Sequence, residues 1–177
     1  IAIEPSDGIA FAGLSHVSHT TGELFGQYAN VPLLAVSIFD VGGTVDTIAY
    51  YRSKGNSGNH DEVYRQLLDT VDQAFRTRDL QQEALLGQAA TASARLNQVH
   101  LEKPKLEEFI TAAQRQGALG TLVAHSGTVV GVLWASDLSA VDMEQQTSEL
   151  AAEFEATYHY MQTVRLISGG VVCEIRP

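Results

Sequence analysis

The apolar residues of this chain form short runs in several places, each bounded by glycine or small polar residues. Runs of four to eight β-branched and apolar residues between turn residues are typical of β-strands. Two such runs flank the turn Ser168-Gly169-Gly170, and Gly-Gly between β-branched runs favours a hairpin. The pattern therefore predicts strands at residues 33–39, 119–124, 129–134, 163–167 and 171–175.

Elsewhere apolar residues recur every three or four positions, which predicts helices. We expect three consecutive helices at residues 60–78, 80–99 and 104–116, and a fourth from Asp137 or Ser139 to Tyr158. Asp79 is expected to cap the second helix, and Pro104 to lie in the first turn of the third. This order of strands and helices predicts an α+β fold, an antiparallel sheet with helices on one face, close to ferredoxin-like.

The stretch 117–134, GALGTLVAHSGTVVGVLW, is the most informative part of the sequence about a possible ligand site. Two apolar runs surround the polar tetrapeptide His125-Ser126-Gly127-Thr128, and the stretch holds four glycines. Glycine inside a strand often marks the close approach of a ligand or of another backbone segment. Two interpretations stay open: a buried hairpin with packing glycines, and a turn whose backbone N–H groups face an anion.

Composition narrows the class of protein. The 177 residues are 45% apolar and 18% charged, which is typical of a globular chain, with a net charge of −10 and no basic run. We therefore expect no nucleic-acid partner and no membrane association, and no apolar stretch reaches the ~18 residues of a membrane span. The single cysteine, Cys173, excludes an internal disulfide and fits a reducing compartment, so we expect a cytoplasmic protein.

Two polar segments next to apolar runs are candidate ligand loops. The first, Glu4-Pro5-Ser6-Asp7-Gly8, is a sharp turn between apolar runs. The second, from Asp40 to Thr47, follows the predicted strand 33–39 and contains two carboxylates and two glycines. Such loops meet ligands at the ends of buried strands, although the same residues also form plain tight turns.

Other chemistry is less favoured by the residues. His16 and His19 are three apart, but no further Cys or His follows at ligand spacing, so we predict no metal site there. Ser126 beside His125 could suggest a hydrolase. Adjacent residues of a strand point to opposite faces, and the motif Gly-x-Ser-x-Gly is absent, so we set that reading aside.

Three motifs together resemble the GHMP small-molecule kinases. The stretch GALGTLVAHSGTVVGVL resembles their third conserved motif, in the form found in the branch that contains the L-threonine kinases of cobalamin synthesis. Residues 39–47 resemble the Asp-x-Gly-Gly-x-Val-Asp-Thr stretch of that branch. The turn 4–8 is similar to the segment that carries the catalytic aspartate in kinases such as mevalonate kinase.

The resemblance implies an ATP- and Mg²⁺-dependent kinase that phosphorylates a hydroxyl, such as that of L-threonine. It makes Asp7 the catalytic carboxylate and places Gly127 and Thr128 near the phosphates. The substrate-binding residues it implies are Asp40, Gly42, Gly43, Asp46, Thr47, His125 and Ser126.

One family motif is missing. GHMP kinases hold ATP phosphates with a Pro-x-x-x-Gly-Leu-x-Ser-Ser-Ala loop, and this chain contains neither that loop nor Gly-x-x-x-x-Gly-Lys. We therefore expect the C-terminal half of a kinase: residues 1–30 ending an N-terminal domain and residues 31–177 forming the α+β domain. We expect it to be inactive alone, and either to bind an N-terminal half in the same or a separate chain or to self-associate as a homo-oligomer. A non-catalytic module that binds a small molecule or a partner is the alternative.

Overall fold

The computed structural model describes residues 11–17, 21, 23–46, 61–124 and 127–167. The chain divides into two compact units, Leu34–Arg165 and a smaller one composed of Ile1–Leu33 and Leu166–Pro177. In the smaller unit, β1 (Leu14–Val17) pairs antiparallel with β2 (Leu24–Tyr28). His16 of β1 packs its ring against Phe25 of β2 at a centroid distance of 5.2 Å.

The larger unit contains four strands and four helices in its described residues. In chain order they are β3 (Ala35–Asp40), α1 (Asp61–Arg76), α2 (Asp79–Asn97), α3 (Leu106–Arg115), β4 (Gly120–Val123), β5 (Val129–Trp134), α4 (Ala140–Glu153) and β6 (His159–Arg165). The strands form one antiparallel sheet in the order β4-β5-β3-β6. This order, with helices after the first and third strands of the sheet, confirms the predicted α+β, ferredoxin-like plan.

The core lies on one face of this sheet. Ala35 and Phe39 of β3 share that face with Val130, Val132 and Trp134 of β5, because these residues pair or alternate in register. Phe109 of α3 is fully buried over them, 5.2 Å from the Phe39 ring. Burying aromatic side chains contributes most to such a core, so α3 and α4 are held by packing against this face.

Helix α2 covers the outer edge of β4. The hydroxyl of Thr91 accepts a hydrogen bond from the backbone N–H of Thr121 at 3.0 Å. At Gly87 and Gly120 the two backbones approach so closely that a Cβ added to Gly120 would lie 2.1 Å from the Gly87 oxygen. An edge strand with unpaired N–H groups invites association, and α2 removes that opportunity along β4.

A buried hydroxyl group links the sheet to α4. Ser37, in the middle of β3, accepts a hydrogen bond from the indole Nε1–H of Trp134 at 2.8 Å. Its Oγ also lies 2.8 Å from the hydroxyls of both Thr147 in α4 and Thr163 in β6. These bonds satisfy polar groups that would otherwise be costly to bury.

Two predicted helix starts are wrong by one or two residues. Asp79 is not the cap of α2: Arg78 occupies the N-cap position, and Asp79 is the first helical residue, with φ 61°. Pro104 precedes α3, whose N-cap is Lys105. The Pro104 carbonyl instead accepts a hydrogen bond from the Tyr158 hydroxyl at 2.7 Å.

The end of α4 also differs from the prediction. The helix was predicted to start at Asp137 or Ser139, and Ser139 is the N-cap. Its hydroxyl accepts a hydrogen bond from the Asp142 N–H. The helix ends at Glu153 rather than near Tyr158, and β6 begins at His159 rather than Thr163. Tyr158, five residues beyond the end of this helix, stacks on Phe109 at a ring-centroid distance of 4.2 Å.

Candidate functional site

The candidate site lies at the end of β3. Asp40 is the last residue of that strand, and it is paired with Val129 of β5 on one side and with His159 of β6 on the other. Residues directly opposite in antiparallel strands place their side chains on the same face. Asp40 therefore belongs to the face opposite to Phe39 and the aromatic core, and it is only partly buried.

The Asp40 carboxylate is held by two donors. The backbone N–H of Gly42 donates to its Oδ1 at 3.0 Å. The side chain of Thr128 has the largest effect in lowering the pKa of Asp40 below its ordinary value, followed by the Gly42 backbone, while burial opposes the shift and the nearby His159 favours it. Hydrogen bonds to an ionised carboxylate stabilise the charge, so Asp40 is an anion at neutral pH.

Two loops meet at this carboxylate. The backbone N–H of Val41 donates to the Thr128 carbonyl at 3.1 Å, which joins the segment after β3 to the turn before β5. Gly42 and Gly43 have φ values of 74° and 83°, a region that favours glycine. Both are exposed, and no atom lies within 4 Å of a Cβ built on either, so their backbone is open to a ligand.

The structure brings together three of the predicted site residues, Asp40, Gly42 and Thr128, and two others, Gly43 and Gly127, are adjacent to them in the chain. Asp46 is exposed further along the same loop. The remaining predicted residues, Asp7, Thr47, His125 and Ser126, lie outside the described residues, and their roles stay predictions.

His159 is the residue at this site that the sequence analysis did not identify. It faces Asp40 across the β3–β6 pair and is exposed. No local signal marks it, because the pattern placed residue 159 between a helix and a strand that was expected to begin at Thr163. Only the register between strands that are more than a hundred residues apart reveals it.

Within the described ranges, no three His, Cys, Asp or Glu side chains are grouped in a way that could hold a metal ion. No helix in the part of the chain that the structure describes is both long and apolar enough to cross a membrane.

Comparison with curated proteins gives two relatives that are both named L-threonine kinase. The protein of Citrobacter freundii is 26% identical over 97% of this chain and 59% of its own length. That of Salmonella typhimurium is 27% identical over 97% of this chain and 56% of its own length. The chain thus spans less than two thirds of the curated relatives it matches.

Solved structures share the fold at low sequence identity. A mevalonate kinase from L. major, solved with R-mevalonate, superposes with a TM-score of 0.64 at 16% identity, covering 89% of this chain and 49% of its own. A homoserine kinase from Cytophaga hutchinsonii gives a TM-score of 0.59 at 15% identity, covering 90% of this chain and 50% of its own. In both, about half of the solved chain corresponds to this one.

A family model agrees with this fold. Residues 73–153, from the end of α1 to the end of α4, match the model described as GHMP kinases C terminal. This region includes the glycine-rich hairpin of β4 and β5 on which the resemblance was based. Over residues 73–153, this chain is therefore similar to the C-terminal domain of the GHMP kinases.

Proposed function

We propose that this chain is the C-terminal part of an ATP-dependent kinase that phosphorylates the side-chain hydroxyl of L-threonine. The observation that carries the proposal is the similarity of nearly the whole chain, 97% of it, to two proteins named L-threonine kinase. The site at Asp40 supports it, because its two loops contain the motifs that resemble this branch of the family.

Asp40 is proposed to bind the ammonium group of the amino acid. Its carboxylate is kept ionised by Thr128 and Gly42 and is only partly buried, so a cation can approach it. A carboxylate has about four lone-pair positions, and the two donors leave room for another partner. The open backbone at Gly42 and Gly43 would allow the substrate to approach the loop closely.

The remaining roles follow from the chemistry of phosphoryl transfer. This reaction needs in-line placement of the acceptor and stabilisation of charge on the transferred group. Gly127 and Thr128, beside Asp40, are proposed to lie near the phosphates, together with Ser126. Asp7 is proposed to orient the acceptor hydroxyl and take its proton. The ATP phosphates and Mg²⁺ would be held mainly by an N-terminal half.

Exposed apolar side chains of the smaller unit support the need for such a half. In the β1–β2 hairpin, Leu24 is 40% exposed and Phe25 58% exposed, and Leu33 beyond it is 62% exposed. Exposed apolar surface is stabilised when another part of a protein covers it. We propose that the N-terminal half, in the same or a separate chain, covers it in a cytoplasmic enzyme.

The test is an assay of the complete enzyme, containing both halves, with ATP and a panel of L-threonine, L-serine and L-homoserine. Wild type is expected to prefer L-threonine. Asp40→Asn removes the charge but keeps the shape, so we expect its KM for L-threonine to rise about tenfold or more with a smaller change in kcat. Asp69→Asn, at an exposed position of α1, is the control and should leave both constants unchanged.

Two results would contradict the proposal. One is an enzyme that transfers phosphate to none of these amino acids, which would favour a different acceptor or a non-catalytic binding module. The other is an Asp40→Asn enzyme with normal KM, which would remove Asp40 from the substrate site while leaving the kinase activity in place.

A further inference from the structure

We infer that His159 recognises the carboxylate of the amino-acid substrate and so makes the site selective for α-amino acids over simple amino alcohols. This inference rests on the proposed function, in which Asp40 binds the ammonium group. An α-amino acid is a zwitterion, and His159 would supply the hydrogen-bond donor for its carboxylate while Asp40 binds its ammonium group.

The position of His159 carries the inference. His159 and Asp40 are direct partners in the antiparallel pairing of β6 with β3, so both side chains leave the sheet on the same face. Directly opposed residues have Cβ atoms about 4.5–5.5 Å apart. The ammonium and carboxylate of an α-amino acid are attached to one carbon, and two adjacent side chains of opposite character can contact both at once.

The imidazole is available for a ligand. His159 is exposed, and within the described residues its ring makes no hydrogen bond. A neutral imidazole still carries one N–H donor and a protonated one carries two, so the ring can donate to a carboxylate in either state. The direct pairing of His159 with Asp40 agrees with the contribution of His159 to the lowered pKa of that carboxyl.

The backbone that carries His159 is well anchored. Tyr158, the preceding residue, is 1% exposed and stacks on Phe109. Its hydroxyl donates to the Pro104 carbonyl. Arg165, the cationic side chain at the other end of β6, pairs with Ala35 at the far end of β3 and is therefore remote from Asp40. A fixed donor beside a fixed carboxylate is the arrangement that positions a small rigid ligand.

The experiment compares two ligands that differ only in the carboxylate. The complete enzyme is assayed with L-threonine and with 1-amino-2-propanol, which keeps the amine and the hydroxyl; if the amino alcohol is not phosphorylated, its inhibition constant against L-threonine is measured instead. The variants are His159→Ala, His159→Gln and the control Gln162→Ala. Gln162 is exposed on the same face of β6 as His159. It pairs with Ile38, which lies two residues before Asp40 in β3.

With His159→Ala we expect the KM for L-threonine to rise about tenfold, equivalent to the loss of about 1.4 kcal/mol of binding. The constant for 1-amino-2-propanol should stay within about twofold, since this ligand has no carboxylate to lose. His159→Gln, which keeps an N–H donor, should recover part of the affinity, and Gln162→Ala should change neither constant. Asp40→Asn should weaken both ligands, because both contain the amine.

The inference is overturned if His159→Ala leaves the KM for L-threonine unchanged, or if it weakens both ligands equally. Equal weakening with a lowered melting temperature would assign His159 a structural role. These outcomes contradict the role of His159 alone. If wild type phosphorylates no amino acid, the proposed function is wrong, and the inference about His159 is wrong with it. If wild type prefers another amino acid, the same comparison is made with that amino acid and its decarboxylated analogue.

Discussion

Lys103 lies in the connection between α2 and α3, and its side chain is buried although it carries a charge. It is 2% exposed, and its Nζ donates a long hydrogen bond to the Leu101 carbonyl at 3.5 Å. Burial therefore lowers its pKa from the ordinary value of 10.5. A charge that is buried without a good partner destabilises the folded state.

Replacing this lysine by Lys103→Met is expected to raise the free energy of unfolding at pH 7. The unfolded chain binds the proton more readily than the folded one, so the penalty is present below the lowered pKa and disappears as the pH rises towards 10.5. The stability difference between variant and wild type should therefore shrink between pH 7 and pH 10 in urea titrations. Lys105→Met, at the exposed N-cap of α3, is the control, and a less stable Lys103→Met protein at pH 7 would contradict the argument.

A second prediction at this scale concerns Asp7, whose role rests on the resemblance alone. In the complete enzyme, Asp7→Asn should lower kcat by about 10²–10⁴-fold, the usual contribution of proton transfer by a placed side chain. The KM for ATP and the thermal stability should change little, because asparagine keeps the size and turn-forming ability of aspartate. Steady-state kinetics decide this; a near-normal kcat would leave Asp7 a turn residue and make Asp46 the next candidate.

At the scale of elements, the contact between α2 and β4 depends on two glycines that face each other. A Cβ on Gly87 would lie 2.2 Å from the carbonyl oxygen of Leu119, and a Cβ on Gly120 would meet the Gly87 backbone. The Thr91 hydroxyl can reach the Thr121 N–H only at this short separation. The two glycines therefore let α2 shield the edge of the sheet and support the hairpin that carries Gly127 and Thr128.

This contact reverses the usual effect of a glycine substitution in a helix. Alanine in a helix interior normally stabilises by about 1 kcal/mol relative to glycine. For Gly87→Ala we instead expect a loss of about 1–3 kcal/mol, because the new methyl group overlaps backbone atoms that cannot rotate away. Chemical denaturation of the complete protein measures this change in the free energy of unfolding. In Gly26→Ala the new Cβ would have its nearest neighbour at 3.9 Å, so this control should be nearly neutral. A stabilised Gly87→Ala protein would show that α2 and β4 separate easily.

At the scale of the whole molecule, the two units differ in how well they can fold by themselves. The larger unit has a four-stranded sheet and an aromatic core. The smaller one offers a two-stranded sheet in its described part, with large apolar side chains exposed. An isolated two-stranded hairpin is marginal in water, so this unit is expected to depend on a partner.

We therefore predict that the chain of 177 residues is inactive when purified alone. It contains no ATP phosphate loop in its sequence, and the proposed catalytic site draws on both halves of the kinase. An assay with ATP and L-threonine should show no turnover above background, while the complete enzyme in the same assay provides the positive control. Turnover by the chain alone within about tenfold of the ~1–100 s⁻¹ usual for kinases would contradict the prediction.

The periodic pattern of apolar residues was enough to predict the helices, the central strands and the α+β class. Those features depend on residues that are close in sequence, such as the stripe along α1 or the turn between β4 and β5. The family resemblance was equally local, since each motif occupies one loop or hairpin. Asp40, Gly42, Gly43 and Thr128 could be chosen as site residues for that reason.

Tertiary structure decided the remaining features, because they join segments that are distant along the chain. Tyr158 packs on Phe109 between α4 and β6, and the β3–β6 register places His159 opposite Asp40. The apposition of Gly87 and Gly120 likewise depends on how α2 lies along β4. The sequence by itself determined the elements and the loop that carries Asp40, whereas long-range pairing and aromatic packing determined which side chain faces that carboxylate.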